Sequence, residues 1–342
     1  MDLIFFAYEI FKNTLNKIKQ NMKIAIFFTP AVLTPWMENV NRETTHFVLA
    51  HMPTEWNGKI VACRGCNENL LNQLSDFDVL FNLSYGYRKM SQVDMARWLE
   101  WNRLIHTASS SNAMELAQDK GLLPDICRLL GYLTPEIVTN LEELEPDTFY
   151  LSKPRWGSCH RHIQIFKGRE IDLTAQDCSL DFIIQPYIYG REFSVAVIPE
   201  IRHKGYSFKG YTSLPPVEIV PSTEHNLYIA GQEYGPTRRV FDPVLATSVN
   251  HQLQEQALTL HLALGLRGMS RTDFRVDHAG RLYVLDINAM PNFDPNRSLF
   301  PALCNHHGVD LTQLIRSVVE KSLQAASDLS LEECESQYET IF

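Results

Sequence analysis

The sequence predicts an α/β protein in which an N-terminal parallel layer is followed by antiparallel sheets. Three observations predict it. Apolar strands alternate with helical stretches from residue 22 to about 108, the pattern of a parallel α/β layer. Short strands then succeed one another at Phe149–Pro154, Gln164–Phe166, Asp181–Gln185 and Glu192–Ile198. Last, Met269–Ser298 reads as two strands joined by the polar turn Asp277-His278-Ala279-Gly280, which is hairpin chemistry.

Taken in order, residues 1–21 read as a loosely attached helical extension, or as upstream sequence from a misplaced start. Lys23–Phe28 is a first buried strand, Phe77–Asn82 another, and Gln92–Glu100 a helix. Asn112–Gly131 reads as one helix, with an apolar stripe of Leu122, Ile126, Leu129 and Leu130 and Gly131 as its stop. Ile201–Pro243 is rich in Gly, Pro and Tyr and reads as long loops around Pro216–Ile219. Val249–Leu264 is an amphipathic helix closed by Gly265. A last helix covers Leu311–Leu323, and the acidic tail beyond it is expected to fray. The expected divisions are an extension at 1–21, an α/β domain at 22–108, a central domain at 109–200, a C-terminal domain at 201–325 and a tail at 326–342.

Composition narrows the function. At 342 residues the chain is long for one core, and 45% hydrophobic with 21% charged residues is a globular balance. A net charge of −9 argues against bulk nucleic-acid binding, because nothing would neutralise a run of phosphates. No apolar run approaches the roughly 20 residues that span a bilayer. Seven scattered cysteines fit a reducing cytoplasm better than a disulfide scaffold. The lone Cys63-Arg64-Gly65-Cys66 lacks the second pair that a zinc site wants, so both thiols read as ordinary.

The hairpin carries the chemistry. Arg271 and Asp273 lie two apart on its first strand, as do Asp286 and Asn288 on its second, so each pair shares a face. Pairing Asp277 with Leu282 sets Asp273 opposite Asp286 and Arg271 opposite Asn288. Two carboxylates and an amide oxygen suit Mg²⁺, which completes its shell with water and phosphate. A neighbouring Arg can stabilise charge on a transferred phosphoryl group or an oxyanion. Upstream, Lys153-Pro154-Arg155-Trp156-Gly157-Ser158 joins a strand to a loop able to bind phosphate through an ammonium and backbone N–H groups. Lys120 offers a second ammonium. Backbone groups near Tyr187 and Ile188 could read a base, and Glu192 could accept from ribose hydroxyls.

In order and spacing these residues resemble the ATP-grasp superfamily, and more closely the D-alanine–D-alanine ligases, from about Val79 to Leu323. The motifs that carry the likeness are Lys153-Pro154-x-x-Gly157-Ser158, Gly190-Arg191-Glu192-Phe193-Ser194-Val195, Leu214–Ile219, Arg271-Thr272-Asp273-Phe274 and Asp286-Ile287-Asn288-x-x-Pro291. The resemblance implies two ATP-grasp domains whose antiparallel sheets enclose ATP. It implies Lys120, Lys153, Gly157 and Ser158 on the phosphates, and Gln185, Ile188 and Glu192 around adenosine. Two Mg²⁺ (Mn²⁺ as substitute) would sit on Asp273, Asp286 and Asn288. Arg271 would be the catalytic cation, with Tyr234 and Ser298 on the substrate side. The implied enzyme is an ADP-forming carbon–nitrogen ligase of small molecules, cytoplasmic, with no nucleic-acid or membrane partner, and able to form a homodimer.

The first half departs from that family. Dipeptide ligases carry a Gly-rich loop with a Ser and a Glu after the first strand, where this chain has Phe28–Met37. They carry a His-Gly turn where this chain has Leu83–Gln92. Glu233 stands in place of the Lys that usually precedes the substrate Tyr, leaving Arg238 or Arg239 to supply charge, and Asn292 replaces a usual Gly. This combination resembles the D-alanine–D-alanine-ligase-like enzymes of mycosporine-like amino acid biosynthesis, which couple a free amino acid such as serine or threonine to mycosporine-glycine. Trp36, Tyr85, Tyr87, Arg88 and Lys89 suit a cyclic acceptor with a carboxylate. The alternatives are a D-alanine–D-alanine or other dipeptide ligase, and a non-catalytic ATP-binding regulator.

Overall fold

The computed structural model describes residues 21–29, 35–84, 91–156, 163–171, 181–201, 206–208, 210–220 and 238–339. The first layer runs β1 (Lys23–Phe28), α1 (Pro35–Ala50), β2 (Asn57–Ala62), α2 (Glu68–Leu74), β3 (Val79–Asn82) and α3 (Ser91–Trp101). Its strands form a parallel sheet in the order β2-β1-β3. β1 is buried on both faces, which is why its sequence is an unbroken apolar run. Ala25 and Phe27 pack on Leu74 and Leu99. Ile24 and Ile26 join a second core with Phe293, Phe300 and Val318 from the far end of the chain.

Two short helices follow, α4 (Ser111–Gln118) and α5 (Leu123–Leu130). They replace the single helix expected over 112–131. Pro124 lies in the first turn of α5 and would break a helix interior. Asp119 takes an extended backbone there, and its carboxylate accepts from the Gly121 N–H at 2.9 Å. Gly131 ends α5 as expected, in the left-handed region at φ 73°.

A small antiparallel sheet comes next: β4 (Phe149–Pro154), β5 (Gln164–Lys167) and β6 (Phe182–Pro186), with β4 in the centre. The rest of the chain builds a larger sheet from β7 (Arg191–Pro199), β8 (Tyr206–Phe208), β9 (Tyr211–Ser213), β10 (Val217–Val220), β11 (Arg238–Val240), β12 (Ser270–Val276) and β13 (Leu282–Asn288). Its main path is β11-β10-β7-β12-β13. Thus 201–243, expected as loops, holds four short strands among its described residues. The helix α6 (Thr247–Ala263) precedes β12 and lays Leu253, Ala257 and Leu260 against Phe193, Val195, Phe274 and Val284 on one sheet face.

Two helices close the chain, α7 (Leu299–His306) and α8 (Leu311–Glu339). α8 runs far past the Leu323 stop expected from sequence. Residues 324–339 contain no Gly or Pro and are rich in Ala, Leu, Glu and Gln, so nothing in them ends the helix. Cys63 is buried and Cys66 exposed, and both are free thiols. Among the described residues no helix is long and apolar enough to cross a membrane.

Candidate functional site

The site grows from the register of three strands. β12 pairs with β7 so that Arg271 faces Ala196, Asp273 faces Ser194 and Arg275 faces Glu192. On its other side it pairs with β13, setting Asp273 opposite Asp286 and Arg271 opposite Asn288. These are the two cross-strand pairs the sequence predicts. Near the turn the register is one residue different from that expectation, with Val276 rather than Asp277 opposite Leu282. A bulge corrects it: Leu285 has no partner on β12. The alternate residues Phe274 and Val284 face the other way, into the core beneath α6.

The unpaired Leu285 carbonyl is used. Lys153 reaches across from β4 and its Nζ donates to that oxygen at 3.1 Å. The side chain is buried, and burial pushes its ammonium down to about 8, against the pull of Asp286, Asp273 and Glu192 and with the push of Lys120. Lys120 Nζ lies 3.5 Å from Asp286 Oδ1. Two ammonium groups therefore meet at the acidic end of the hairpin, an arrangement that suits a polyphosphate.

Arg271 grips Asp273 with two bonds, Nε to Oδ1 at 3.0 Å and Nη2 to Oδ2 at 2.8 Å. The Ser194 hydroxyl donates to the same carboxylate. Asn288 Oδ1 accepts from the Met290 N–H at 3.0 Å, which shapes the loop after β13. Among the described residues no three His, Cys, Asp or Glu side chains converge. A cation here would rest on two carboxylates and an amide oxygen, with the remaining positions left to phosphate and water, as Mg²⁺ prefers. The donor set therefore fits Mg²⁺ with a nucleoside triphosphate, which Asp273, Asp286, Asn288, Lys120 and Lys153 would hold.

Other predicted residues find different surroundings. Glu192, expected to meet ribose, is paired with Arg275, whose Nη1 also donates to the Ile188 carbonyl at 2.9 Å. Burial pushes the Glu192 carboxyl up to about 7, with Asp273 adding to that and Arg275 and Arg271 opposing it. Gln185, expected beside adenosine, is buried and donates its amide to the Pro135 carbonyl at 2.6 Å, so that N–H is committed to bracing β6. Ser298 precedes α7 without capping it by its side chain, and its carbonyl accepts from Arg239 at 3.3 Å. Arg239 thus ties β11 to the loop before α7. Gly157, Ser158 and Tyr234 lie outside the described residues, as do residues 30–34 and 85–90 of the departing first half.

Sequence reasoning missed three participants: Ser194, Arg275 and the Arg155–Asp119 pair. Ser194 and Arg275 could have been found from strand alternation, since each is two residues from a residue already on the site face. Arg155 grips Asp119 with Nε to Oδ1 at 2.6 Å and Nη2 to Oδ2 at 2.8 Å. Its carbonyl accepts from the Lys120 N–H at 3.2 Å. Arg155 therefore fixes Lys120 relative to β4. Arg155→Ala is expected to cost about 1–3 kcal/mol of stability by leaving the buried Asp119 short of a partner, and to weaken nucleotide binding by loosening Lys120. Thermal melts and nucleotide titration check both effects, and an unchanged melt with unchanged affinity would sink this role.

The loop after β13 meets the first layer. Thr44 on α1 donates to Asn292 Oδ1 at 3.1 Å, and Glu43 pairs with Arg297 at 3.0 Å. Phe293 packs edge-on against Phe81 of β3, with ring centroids 6.0 Å apart. The parallel layer is thus pinned, through α1 and β3, to the loop that follows Asn288.

Known proteins share the fold. A family model described as D-ala D-ala ligase C-terminus matches residues 171–320. The D-alanine–D-alanine ligase of Desulfotalea psychrophila is 31% identical over 153 residues, which is 44% of this chain and 45% of that protein. That of Sinorhizobium medicae is 27% identical over 263 residues, 71% of this chain and 80% of the relative. Among solved structures, the Bacillus anthracis D-alanine–D-alanine ligase superposes with a TM-score of 0.72 at 18% identity, covering 90% of this chain and 99% of that one. The same enzyme complexed with ATP gives a TM-score of 0.68 at 19% identity. The chain is therefore similar to D-alanine–D-alanine ligases, in sequence over residues 171–320 and in fold over most of its length.

Proposed function

We propose that the chain is an ADP-forming ligase that activates an acceptor oxygen by phosphorylation and then joins an amine to it with loss of phosphate. The observation that carries this reading is the convergence of Lys120, Lys153, Asp273, Asp286, Asn288 and Arg271 around one bulged hairpin. Bound ATP with Mg²⁺ would supply the phosphoryl group. Lys120 and Lys153 would hold its phosphates, and the two carboxylates with Asn288 would hold the metal. Arg271, partly exposed beside them, is placed to stabilise negative charge on the acceptor once Asp273 turns to the metal. A regulator that only binds nucleotide would need no such arginine, which speaks against the non-catalytic reading.

For the acceptor, the named relatives support D-alanine and hence a dipeptide ligase. A second reading has a specific observation in its favour. The first half lacks the Ser/Glu loop and the His-Gly turn that would orient a first D-alanine, and Asn292, in place of Gly, is fastened to Thr44. Those features suit a larger acceptor such as mycosporine-glycine, coupled to an amino acid. Orientation contributes on the order of 7–11 kcal/mol to such a barrier at best, so a ligase lacking those contacts should be very slow with D-alanine. The experiment measures ADP release and product mass with each acceptor at matched concentration, with serine, threonine, glycine and D-alanine as donors. Robust D-alanyl-D-alanine formation supports the first reading. An imine product from mycosporine-glycine, with negligible dipeptide, supports the second. No acceptor-dependent ADP release in any arm, with nucleotide bound, would overturn the ligase assignment.

A further inference from the structure

Arg275 lies where a nucleoside would have to sit if the proposed function holds, and nothing in that function uses it. Strand alternation puts it on the site face with Arg271 and Asp273, directly across from Glu192. Its side chain is 6% exposed, so a full positive charge is held inside the sheet–loop junction. Three groups keep it there. Nη2 donates to Glu192, Nη1 donates to the Ile188 carbonyl at 2.9 Å, and the guanidinium carbon stands 5.0 Å from the centre of the Tyr187 ring. The ring contact is a cation–π arrangement. The two acceptors are the same groups that the sequence assigns to nucleoside recognition.

A guanidinium has five N–H donors in a rigid fork. Here the Nε–H is buried and has no partner. An unpartnered buried donor on a charged group is costly, so the fork is kept here at some expense. A protein built only to pair Glu192 with a cation could have used a lysine, whose single rotating ammonium leaves no fixed donor behind. The planar fork, by contrast, fixes the carboxylate, the carbonyl and the direction of the spare N–H at once.

We propose that Arg275 is a nucleoside-positioning residue: its fork holds Glu192 and the Ile188 carbonyl, the two acceptors that would meet the ribose and base, in fixed places. This rests on the nucleotide site described under the proposed function, and it assigns that site's nucleoside end to a residue unrelated to the phosphates. Arg275 is bound to Glu192 and the Ile188 carbonyl, whereas Lys153 is bound to the Leu285 carbonyl and Lys120 pairs with Asp286. Its loss should therefore affect nucleoside binding and leave phosphate binding alone.

The test is calorimetric titration of the full chain with Mg²⁺–ATP, Mg²⁺–GTP and Mg²⁺–tripolyphosphate, which has no nucleoside. Arg275→Met is expected to weaken ATP at least tenfold, to narrow the ATP-to-GTP difference, and to leave tripolyphosphate unchanged. Arg275→Lys keeps the charge opposite Glu192 and so protects the fold. It is expected to keep most of the stability and still lose ATP affinity, because the fork is gone. Unchanged ATP affinity in both variants, or an equal loss for ATP and tripolyphosphate in Arg275→Lys, would overturn the proposal. Lys153→Met is the control that separates the two readings. If it weakens tripolyphosphate while Arg275→Lys does not weaken ATP, only the Arg275 assignment fails. If Lys153→Met leaves every titrant unaffected, the nucleotide site itself is wrong and the Arg275 assignment falls with it.

Discussion

Asp286→Ala removes Mg²⁺-dependent turnover, by at least about 10²-fold in kcat, while the protein still folds. The side chain is 33% exposed, so its removal leaves no large cavity. Its loss has two consequences at the site. One of two carboxylates that fit a cation is gone, and Asn288 and Asp273 alone are a poor set for Mg²⁺. Lys120 also loses its partner at 3.5 Å, so two ammonium groups face each other with less negative charge between them. Burial already holds Lys153 down to about 8, and Asp286 is the first charge opposing that shift, so the variant should lower Lys153 further. The check is ADP release across a Mg²⁺ titration, beside a thermal melt. Near-wild-type turnover at saturating Mg²⁺ with a normal melt would reject Asp286 as a metal ligand.

The second large effect is at Lys153. Lys153→Met is expected to weaken ATP by roughly ten- to a hundredfold, the range of one charge-assisted hydrogen bond, and to leave acceptor affinity unchanged. The same substitution should raise the Tm of the free protein at pH 7. The folded-state value is lowered from 10.5 to about 8, so folding disfavours the ammonium. The resulting destabilisation, about 3 kcal/mol, is fully present below pH 8 and is relieved as pH rises toward 10.5. Methionine avoids it at every pH, so the two proteins should converge in stability near pH 10. Nucleotide phosphates favour the charged lysine, so ATP binding by the wild type should take up a proton above pH 8. Titrations in buffers of different ionisation enthalpy measure that uptake. A pH-independent stability gap would reject the buried ammonium, and no proton uptake on ATP binding would show that Lys153 does not face the phosphates.

Much of this was legible before any coordinates. Strand alternation alone identified the site face of the hairpin, because a period of two is rigid and polar residues at 271, 273, 286 and 288 break an otherwise apolar surround. Lys153 was legible from its position on a strand before a Gly-Ser turn. What sequence could not supply was partnership. Glu192 was readable as a polar group near a nucleotide, but whether it was free or clasped by Arg275 depends on which strands neighbour which, and β7 and β12 are some 80 residues apart in the chain. The Arg155–Asp119 clasp is hidden for the same reason. The long-helix reading of 112–131 failed locally instead, because an apolar stripe at helical spacing outweighed Pro124.

The bulge at Leu285 has a meaning beyond the carbonyl it lends to Lys153. β13 is a strand of two phases. On the turn side of the bulge, the even-numbered residues Leu282 and Val284 point into the core, whereas beyond it the odd-numbered Ile287 does. Had the strand run unbroken, Asp286 and Asn288 would have continued the inward series, and two polar groups would have been forced beneath α6. The extra residue works as a half-step that lets one short segment satisfy a greasy layer first and a wet one next. A deletion of Leu285 would therefore not merely loosen a loop. It would straighten the strand, with Val284 in, Asp286 out and Ile287 in by plain alternation, and would take away the carbonyl to which Lys153 donates. An insertion or deletion within the tip 277–281 is of a different kind, since the phase is set downstream of it. The hairpin's length is thus free to vary where it touches solvent and locked where it meets the reaction.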